Sequence, residues 1–301
     1  MKSKSIDILA IQESRQRHNT REARNEYTWY FSGENPTQAN YVAGTAWVIA
    51  NHLTKAILDI EPINDRLTTI LLNYQLPIKI INVHCHHAER TDEEKEKIYD
   101  ELQKEILQHK HKGPVFIVGD FNARIQKAMN REERTHIGQH TFDPNSANPL
   151  SLPEDVFNNR HYLIDLCEQH DLKLMNTCFR KQNNKLATYR KVGAHRDEAM
   201  NRTCFEQIDY VATTNRWKNA VVDVEADTTA NINSDHYPIV ATLRIKLKAL
   251  HKHGLQRKRY KECTEEQRRV LNQEIHNYRS TQRAIHTNNT TATEGYRRIY
   301  T

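Results

Sequence analysis

Short apolar runs that end in polar residues are the feature that most constrains the fold of this 301-residue chain. An almost continuous apolar run of this length is typical of a buried β-strand, and the polar residue marks where the strand leaves the core. Polar or proline-marked breaks separate the runs, which include IDILAIQE, GTAWVIANHL, LTTILLNYQ, IKIINVHC, GPVFIVGDFNAR, QIDYVAT and YPIVATLRIKL. Because strand candidates outnumber helix candidates, we predict an α+β fold with two packed mixed β-sheets and helices outside them.

Two helices are predicted among these strands. Thr91 and Glu94 have the spacing of a capping box, and apolar residues then recur every four positions at Ile98, Leu102 and Ile106. This pattern predicts an amphipathic helix. The segment YLIDLCEQHDLKLMNT predicts a short helix that runs directly into a strand.

The positive charge of the chain lies in its C-terminal part. Residues 246–301 hold 13 basic and 5 acidic residues, whereas residues 1–245 hold 31 basic and 33 acidic residues. We therefore predict a globular domain over residues 1–247 and a basic linker with a charged helix over residues 248–301. A solvated helix and a contact with nucleic acid both fit this tail.

Composition argues for an intracellular protein. No run approaches the ~18 apolar residues of a membrane span, and MKSKSIDILAIQESR lacks an apolar segment of signal-peptide length. The five cysteines are widely spaced and form no C-x-x-C pattern, which predicts reduced thiols rather than a disulfide framework. We expect no membrane contact.

Acidic, amide and imidazole side chains recur at the strand ends. They are Glu13 after ILAIQ, Asp120 and Asn122 in VGDFN, Asp209 in QIDYV, and Asp235 with His236 before YPIV. A solvated strand end explains each one alone. If the ends meet at one edge of the sheets, however, the carboxylates repel each other unless a hard cation with oxygen ligands compensates them.

The adjacent Asp235 and His236 raise a question of orientation. Successive side chains of an extended segment point to opposite faces, so Asp235 is badly placed to orient the ring of His236. If His236 takes part in chemistry, we expect its orienting partner to come from another segment.

Five segments in this order resemble the endonuclease/exonuclease/phosphatase superfamily: ILAIQE, VFIVGDFNAR, NTCFRKQNNKLATYR, EQIDYV and SDHYPIV. The likeness is closest to the apurinic-type endonuclease domain of non-LTR (LINE-type) retrotransposons and runs from about Ile6 to Leu247. It implies a four-layered α/β sandwich in which two mixed sheets are flanked by helices. Since only five residues precede Ile6, the first strand and first helix of the family are expected to be missing.

The resemblance implies a role for each strand-end residue. Glu13 corresponds to the principal metal ligand, for Mg²⁺ or its substitute Mn²⁺, and Asp235 lies on the metal side. Asp120 of the G-D-x-N motif positions or deprotonates the attacking water, and Asn122 binds the scissile phosphate. His236 of the S-D-H motif contacts the phosphate, and its implied orienting partner is Asp209 of the I-D-Y motif, in agreement with the alternation of side chains.

The segment HCHH differs from the commonest family pattern, Y-A-P-N. His84 stands where the family often has Tyr, which implies a catalytic role, and His86 and His87 replace the usual Pro and Asn. This cluster also suggests a zinc site. Zinc needs ligands that converge from a second segment, and none is evident in the sequence, so we predict no zinc site here.

Three further residues are implied as substrate contacts. Asn159 lies in the segment where the family often has Asn-Gly, and Thr188 with Tyr189 sits where related endonucleases have Thr-Trp or Thr-Tyr beside the DNA-binding face. Packing within a strand is the alternative explanation for Tyr189.

Three functions are compatible with the sequence. The first is a Mg²⁺-dependent endonuclease that nicks target DNA, in the nucleus, so that the 3′-hydroxyl primes a downstream reverse transcriptase. The second is a phosphatase of the same superfamily acting on inositol phosphates or lipids, although the motifs usual for that group are absent. The third is an inactive relic that binds nucleic acid or another protein.

Overall fold

The computed structural model describes residues 1–34, 43–142, 148–191, 193–194, 204–244, 269–270 and 273. Residue contacts divide the chain into two units, Met1–Ala249 and Leu250–Thr301. In the second unit only residues 269, 270 and 273 are described, and they are helical. The basic linker and tail predicted for residues 248–301 otherwise lie outside the described residues.

A four-stranded antiparallel sheet is formed in the N-terminal part, in the order β1-β4-β3-β2. Its strands are β1 (Ile8–Ile11), β2 (Thr20–Arg24), β3 (Tyr27–Ser32) and β4 (Thr45–Ala50). The predicted strands in IDILAIQE and GTAWVIANHL are β1 and β4. The hairpin of β2 and β3 was not predicted.

A six-stranded mixed sheet packs against the first, in the order β5-β6-β7-β8-β12-β9. Its strands are β5 (Ile57–Pro62), β6 (Leu67–Leu72), β7 (Ile78–His84), β8 (Val115–Asp120), β9 (Leu172–Leu174) and β12 (Asp209–Thr214). Only β7 and β8 pair in parallel among these strands. Two small two-stranded sheets join β10 (Tyr189–Arg190) to β11 (Phe205–Glu206) and β13 (Val221–Ala226) to β14 (Ile239–Leu243).

Side-chain alternation sorts the six-stranded sheet into two cores. Ile80 and Phe116 point toward the four-stranded sheet and pack with Trp47. Ile81 and Ile117 point to the other face, where they meet the helices. The period-2 pattern of the strands therefore places one apolar layer between the sheets and one beneath the helices, which confirms the predicted packing of β-sheets in an α+β fold. Of the two larger sheets only the six-stranded one is mixed, whereas both were predicted to be.

The α-helices of the first unit, among its described residues, are α1 (Asp92–His109), α2 (Glu133–His136) and α3 (Glu154–His170). Thr91 and Glu94 form the predicted capping box of α1, with both reciprocal hydrogen bonds present. The predicted helix began at Tyr162, but helix α3 begins eight residues earlier, at Glu154. It runs into β9 as expected. The described part of the chain contains no helix long and apolar enough to cross a membrane.

Candidate active site

Three strand ends of the six-stranded sheet place polar side chains side by side. His84 ends β7, Asp120 ends β8 and Asp209 begins β12. The register pairs His84 with Asp120, and Asp120 with Asp209. Because residues paired in register point to the same face of a sheet, the three side chains form one row at this edge.

Glu13 approaches this row from the other sheet. It follows β1 with a φ of 51°, and its Oε1 lies 3.8 Å from His84 Nε2. The buried side chain of Asn82 on β7 holds the end of β1 in place: its Nδ2 donates to the Ile11 carbonyl at 3.1 Å, and its Oδ1 accepts from Gln12 Nε2 at 2.6 Å. This contact between the two sheets places Glu13 next to the row of His84, Asp120 and Asp209.

Two groups of acidic and imidazole side chains in the described ranges bring their candidate ligand atoms within 4.8 Å of one another. We name them the Asp120 cluster (Asp120, Asp209, His236) and the Glu13 cluster (Glu13, His84, His87). The two clusters together contain six of the residues at the polar edge, and they differ in how their imidazoles are paired.

The ring of His236 is paired with Asp209. His236 Nδ1 lies 3.1 Å from Asp209 Oδ2 and 3.3 Å from Oδ1, and His236 Nε2 lies 3.9 Å from Asp120 Oδ2. The partner therefore comes from another strand, as the alternation of side chains suggested. Asp235 belongs to neither of the two described clusters, and its role as a metal ligand stays a prediction.

The Asp120 cluster raises the pKa values of Asp120 and His236 in a way suited to proton transfer. Burial, and then the charge of Asp209, raise the pKa of Asp120 to about 8. Burial alone would lower the pKa of His236, but the charge and hydrogen bond of Asp209 outweigh it and raise the pKa to about 10. At neutral pH the cluster therefore holds a protonated imidazole beside a protonated carboxyl group.

Thr188 and Tyr189 connect the two segments that meet in the Asp120 cluster. The Thr188 hydroxyl accepts hydrogen bonds from the backbone N–H groups of Ile208 at 3.0 Å and Asp209 at 3.1 Å. Tyr189 forms a β-bridge with His236, and their ring centroids are 5.0 Å apart. Thr188 thus fixes the start of β12, while contact of either residue with a substrate stays a prediction.

The Glu13 cluster contains an imidazole without a hydrogen-bonding partner at one nitrogen. His84 is buried, and its Nε2 has no hydrogen-bond partner among the described residues. Burial, and then the charge of Arg66, hold the pKa of His84 well below its usual range, so the ring is neutral at neutral pH. Glu13 offers a candidate ligand atom from a second segment, so the expectation that no second segment converges on HCHH is wrong on that point.

Asn122 links the two clusters through its backbone and side chain. Its backbone N–H donates to Asp120 Oδ1 at 2.8 Å, and its Nδ2 donates to the Cys85 carbonyl at 2.9 Å. Its Oδ1 lies 3.2 Å from His87 Nδ1. Asn122 therefore positions both loops, and its contact with a phosphate stays a prediction.

Asn159 is buried beneath the same loops. Its Nδ2 donates to the carbonyls of His86 at 3.1 Å and Asn122 at 2.9 Å. Helix α3 thereby ties the loop after β7 to the loop after β8. This position supports the site from below, whereas a direct contact with substrate stays a prediction for Asn159.

Arg66 is a site residue that the sequence analysis missed. It lies directly before β6, and its Nη1 is 3.3 Å from His84 Nδ1 and 3.4 Å from the His84 carbonyl. The only local signal is a basic residue at the start of a strand, INDRLTTILL. The pairing of β6 with β7 is what brings it to the site.

The donor set of the Glu13 cluster fits a divalent metal ion. A neutral buried imidazole nitrogen without a partner, a carboxylate oxygen 3.8 Å away and a second imidazole are all groups that bind such ions.

A sequence profile described as the Endonuclease/Exonuclease/phosphatase family matches residues 1–236 of the chain. Craniofacial development protein 2 from Bos taurus is 26% identical over 253 residues, which are 82% of this chain and 38% of that protein. The chain thus spans less than two fifths of the length of this relative.

Two solved structures share the fold. The AP endonuclease LMAP from Leishmania major superposes with a TM-score of 0.58 at 13% identity, covering 81% of this chain and 80% of that chain. The 3′ phosphatase NExo from Neisseria, bound to a product DNA hairpin, superposes with a TM-score of 0.52 at 16% identity, covering 79% and 89%. At these identities the likeness establishes the fold alone.

Proposed function

Because the chain belongs to the endonuclease/exonuclease/phosphatase family, we propose that it is a metal-dependent endonuclease that hydrolyses phosphodiester bonds in DNA. Enzymes of this family are usually hydrolytic nucleases or phosphatases and generally depend on a divalent metal ion. The observation that carries the proposal is the pairing of His236 with Asp209 beside Asp120. An oriented imidazolium next to a carboxyl group of raised pKa is suited to general acid–base attack of water on a phosphodiester.

Asp120 is the proposed general base. In its ionised form the carboxylate holds the attacking water and takes one of its protons as the new phosphorus–oxygen bond forms. The bond from phosphorus to the 3′ oxygen breaks, and this oxygen takes up a proton from solvent water, which leaves 3′-hydroxyl and 5′-phosphate ends. The buried position of Asp120 and the hydrogen bond from the backbone N–H of Asn122 fix the direction of its accepting oxygen.

His236 is the proposed electrostatic group. Asp209 holds its Nδ1–H, so that Nε2–H points to the space beside Asp120 where a phosphate oxygen would lie. A hydrogen bond from an imidazolium strengthens as negative charge develops on that oxygen. A divalent ion held by Glu13, with Mg²⁺ or Mn²⁺ expected from the family, would neutralise further charge on the phosphate.

The proposed biological setting is a retrotransposon. The expectation rests on the segments that resemble LINE-type endonucleases, and it makes DNA in the nucleus the target and a reverse transcriptase domain of the same polyprotein the partner. Nicking that leaves a 3′-hydroxyl would then provide the primer.

The test is a nicking assay on supercoiled plasmid with metal-free protein to which Mg²⁺, Mn²⁺ or no metal is added. We expect open-circular product only with metal, and we expect Glu13→Gln, which removes one ligand charge, to abolish it. Ligation of the nick by DNA ligase reports 3′-hydroxyl and 5′-phosphate ends. Asp165→Asn changes a half-exposed acidic residue on α3, is the matched control and should nick like the parent.

Four results would contradict the proposal, and three of them come from the cleavage assays. These three are nicking in the presence of a chelator, unchanged nicking by Glu13→Gln, and release of phosphate from DNA ends or inositol phosphates without any nicking. The last result would favour the phosphatase alternative. Binding of DNA without cleavage under every metal would favour the inactive relic.

A further inference from the structure

We propose that the Glu13 cluster is a transition-metal site with a His₂Glu donor set, which binds Zn²⁺ in preference to Mg²⁺. This inference deepens the proposed function, because it names the metal ion of the same site. It rests on a buried imidazole nitrogen without a partner, a carboxylate beside it and a second imidazole whose orientation is fixed.

His84 provides the strongest argument. Its Nε2 is buried, lacks a hydrogen-bond partner among the described residues and lies 3.8 Å from Glu13 Oε1. Leaving a buried polar atom unpaired costs free energy, and a bond to a metal ion would remove that cost. In a tetrahedral zinc site with bonds of about 2.0–2.2 Å, neighbouring ligand atoms are about 3.4 Å apart. The half-exposed side chain of Glu13 would have to close by only about 0.4 Å to reach that spacing.

His87 is oriented as metal-binding histidines usually are. Its Nδ1 lies 3.2 Å from Asn122 Oδ1, and the amide of Asn122 is fixed because its Nδ2 donates to the Cys85 carbonyl. The amide oxygen can only accept, so the proton of His87 belongs on Nδ1 and the lone pair on Nε2. A second residue that holds the non-ligating nitrogen in this way is the usual support of a metal-bound imidazole.

The thiol of the HCHH segment is not part of the site. Cys85 is buried in the apolar core beneath the helices, where it packs with residues of α1. Among the described residues the donor set therefore has two imidazoles and one carboxylate. Imidazole nitrogen favours Zn²⁺ and its transition-metal neighbours, whereas Mg²⁺ demands an octahedron of oxygen ligands.

Arg66 opposes metal binding in two ways. Its Nη1 lies 3.3 Å from His84 Nδ1, so donation there would put the ring proton on Nε2, the nitrogen that the metal needs. Its positive charge also repels a cation. Nη1 has the His84 carbonyl as an alternative acceptor at 3.4 Å, which allows the ring to carry its proton on Nδ1 when a metal binds. Arg66 is thus expected to weaken the site.

The experiment measures metal binding without DNA. Metal-free full-length protein is titrated with Zn²⁺ in competition with a chromophoric chelator, first alone and then with Mg²⁺ in large excess. Co²⁺ serves as the spectroscopic probe, since its visible absorption reports nitrogen ligation and a low coordination number. We expect one tight Zn²⁺ per chain that Mg²⁺ does not displace.

Four variants make the assignment specific. Glu13→Gln and His87→Gln should each weaken Zn²⁺ binding about 100-fold. Arg66→Gln should tighten it about 10-fold, because the repulsion and the competing hydrogen bond are removed. His86→Gln changes the neighbouring imidazole outside the cluster and is the matched control, with Zn²⁺ binding equal to that of the parent. Circular dichroism verifies that each variant is folded.

The proposal is overturned if Mg²⁺ displaces Zn²⁺ from the parent, or if Glu13→Gln and His87→Gln bind Zn²⁺ as the parent does. Its failure is separable from failure of the proposed function. A protein that nicks DNA with Mg²⁺ but does not bind Zn²⁺ retains the function and refutes the His₂Glu site. A protein that binds Zn²⁺ through these residues but never nicks DNA supports the His₂Glu site and refutes the proposed function.

Discussion

The Asp120 cluster and the Glu13 cluster use the same residue types at the same sheet edge, yet His236 in the first and His84 in the second have opposite protonation states. In the Asp120 cluster a carboxylate lies 3.1 Å from the ring of His236 and raises its pKa to about 10. In the Glu13 cluster burial and Arg66 keep His84 neutral, and one nitrogen has no partner among the described residues. A paired imidazole holds a proton, whereas an unpaired neutral imidazole offers a lone pair to a metal ion.

The difference arises from the neighbours of a single row of residues. His84, Asp120 and Asp209 stand side by side in register, but the first faces Glu13 and Arg66 and the last faces His236. We therefore assign proton transfer to the Asp120 cluster and metal binding to the Glu13 cluster.

The largest effect expected from this assignment concerns His236 and Asp209. His236→Ala and Asp209→Asn should each slow nicking about 10²- to 10⁴-fold, because both act through one imidazole. For the same reason the double variant should be no slower than His236→Ala alone. Nicking rates of the parent, both single variants and the double variant provide the measurement. Losses that multiply would show that the two residues act separately.

Raised metal concentration sharpens the same comparison. Excess Mg²⁺ or Zn²⁺ should leave His236→Ala slow, since a metal ion cannot replace the imidazolium at the phosphate. Rescue of His236→Ala by metal would contradict the assignment, because it would show that the two clusters form one metal site.

The pH dependence of nicking should follow the two shifted pKa values. Asp120 acts as a base only when ionised, so the rate should rise as pH passes about 8; His236 acts only when protonated, so the rate should fall above about 10. Because Asp209 raises both pKa values, Asp209→Asn should move both limbs to lower pH. Single-turnover rates on a short duplex across pH test this. An alkaline limb that stays in place would contradict the pairing.

A smaller effect is expected at Thr188. Thr188→Val leaves the buried N–H groups of Ile208 and Asp209 without their acceptor, which should cost about 1–3 kcal/mol of stability. The start of β12 should then loosen and nicking should fall about 10-fold. Thr188→Ser keeps the hydroxyl and should restore both. Chemical unfolding and nicking rates are measured together, and an effect of Thr188→Ser equal to that of Thr188→Val would exclude the hydroxyl as the cause.

The smallest effect has the opposite sign. Burial raises the pKa of Asp120 from 3.8 to about 8, so the folded parent loses stability as pH rises between these values. Asp120→Asn removes the ionisable group and should raise the free energy of unfolding near pH 8, while nicking is lost. Thermal unfolding at pH 5 and pH 8 measures the gain. A gain that does not grow with pH would contradict the raised pKa.

The strands that were predicted, and helix α1, were predictable because their signals are local. Each buried strand carries its own apolar run, and Thr91 with Glu94 encodes the start of α1. The β2 segment, TREAR, has one apolar residue and is largely exposed. It becomes a strand by pairing with β3 across a turn in which Asn25 has a φ of 52°. No period in its own sequence indicates this pairing.

The same distinction applies to the site. The pairing of His236 with Asp209 could be expected from side-chain alternation together with the family motifs. The approach of Glu13 to His84 could not, because it depends on how two sheets pack through the buried side chain of Asn82. Arg66 was missed for a related reason, since the register of β6 on β7 determines its place.

The number of metal ions bound by the parent and two variants tests most directly whether metal binding belongs to the Glu13 cluster and proton transfer to the Asp120 cluster. The parent, Glu13→Gln and Asp209→Asn are equilibrated with chelator-buffered Zn²⁺, and the bound metal per chain is counted by elemental analysis. The assignment predicts one ion in the parent, one in Asp209→Asn and none in Glu13→Gln. Two ions in the parent, with one lost in Asp209→Asn, would contradict it, because the Asp120 cluster would then hold a metal ion rather than a proton.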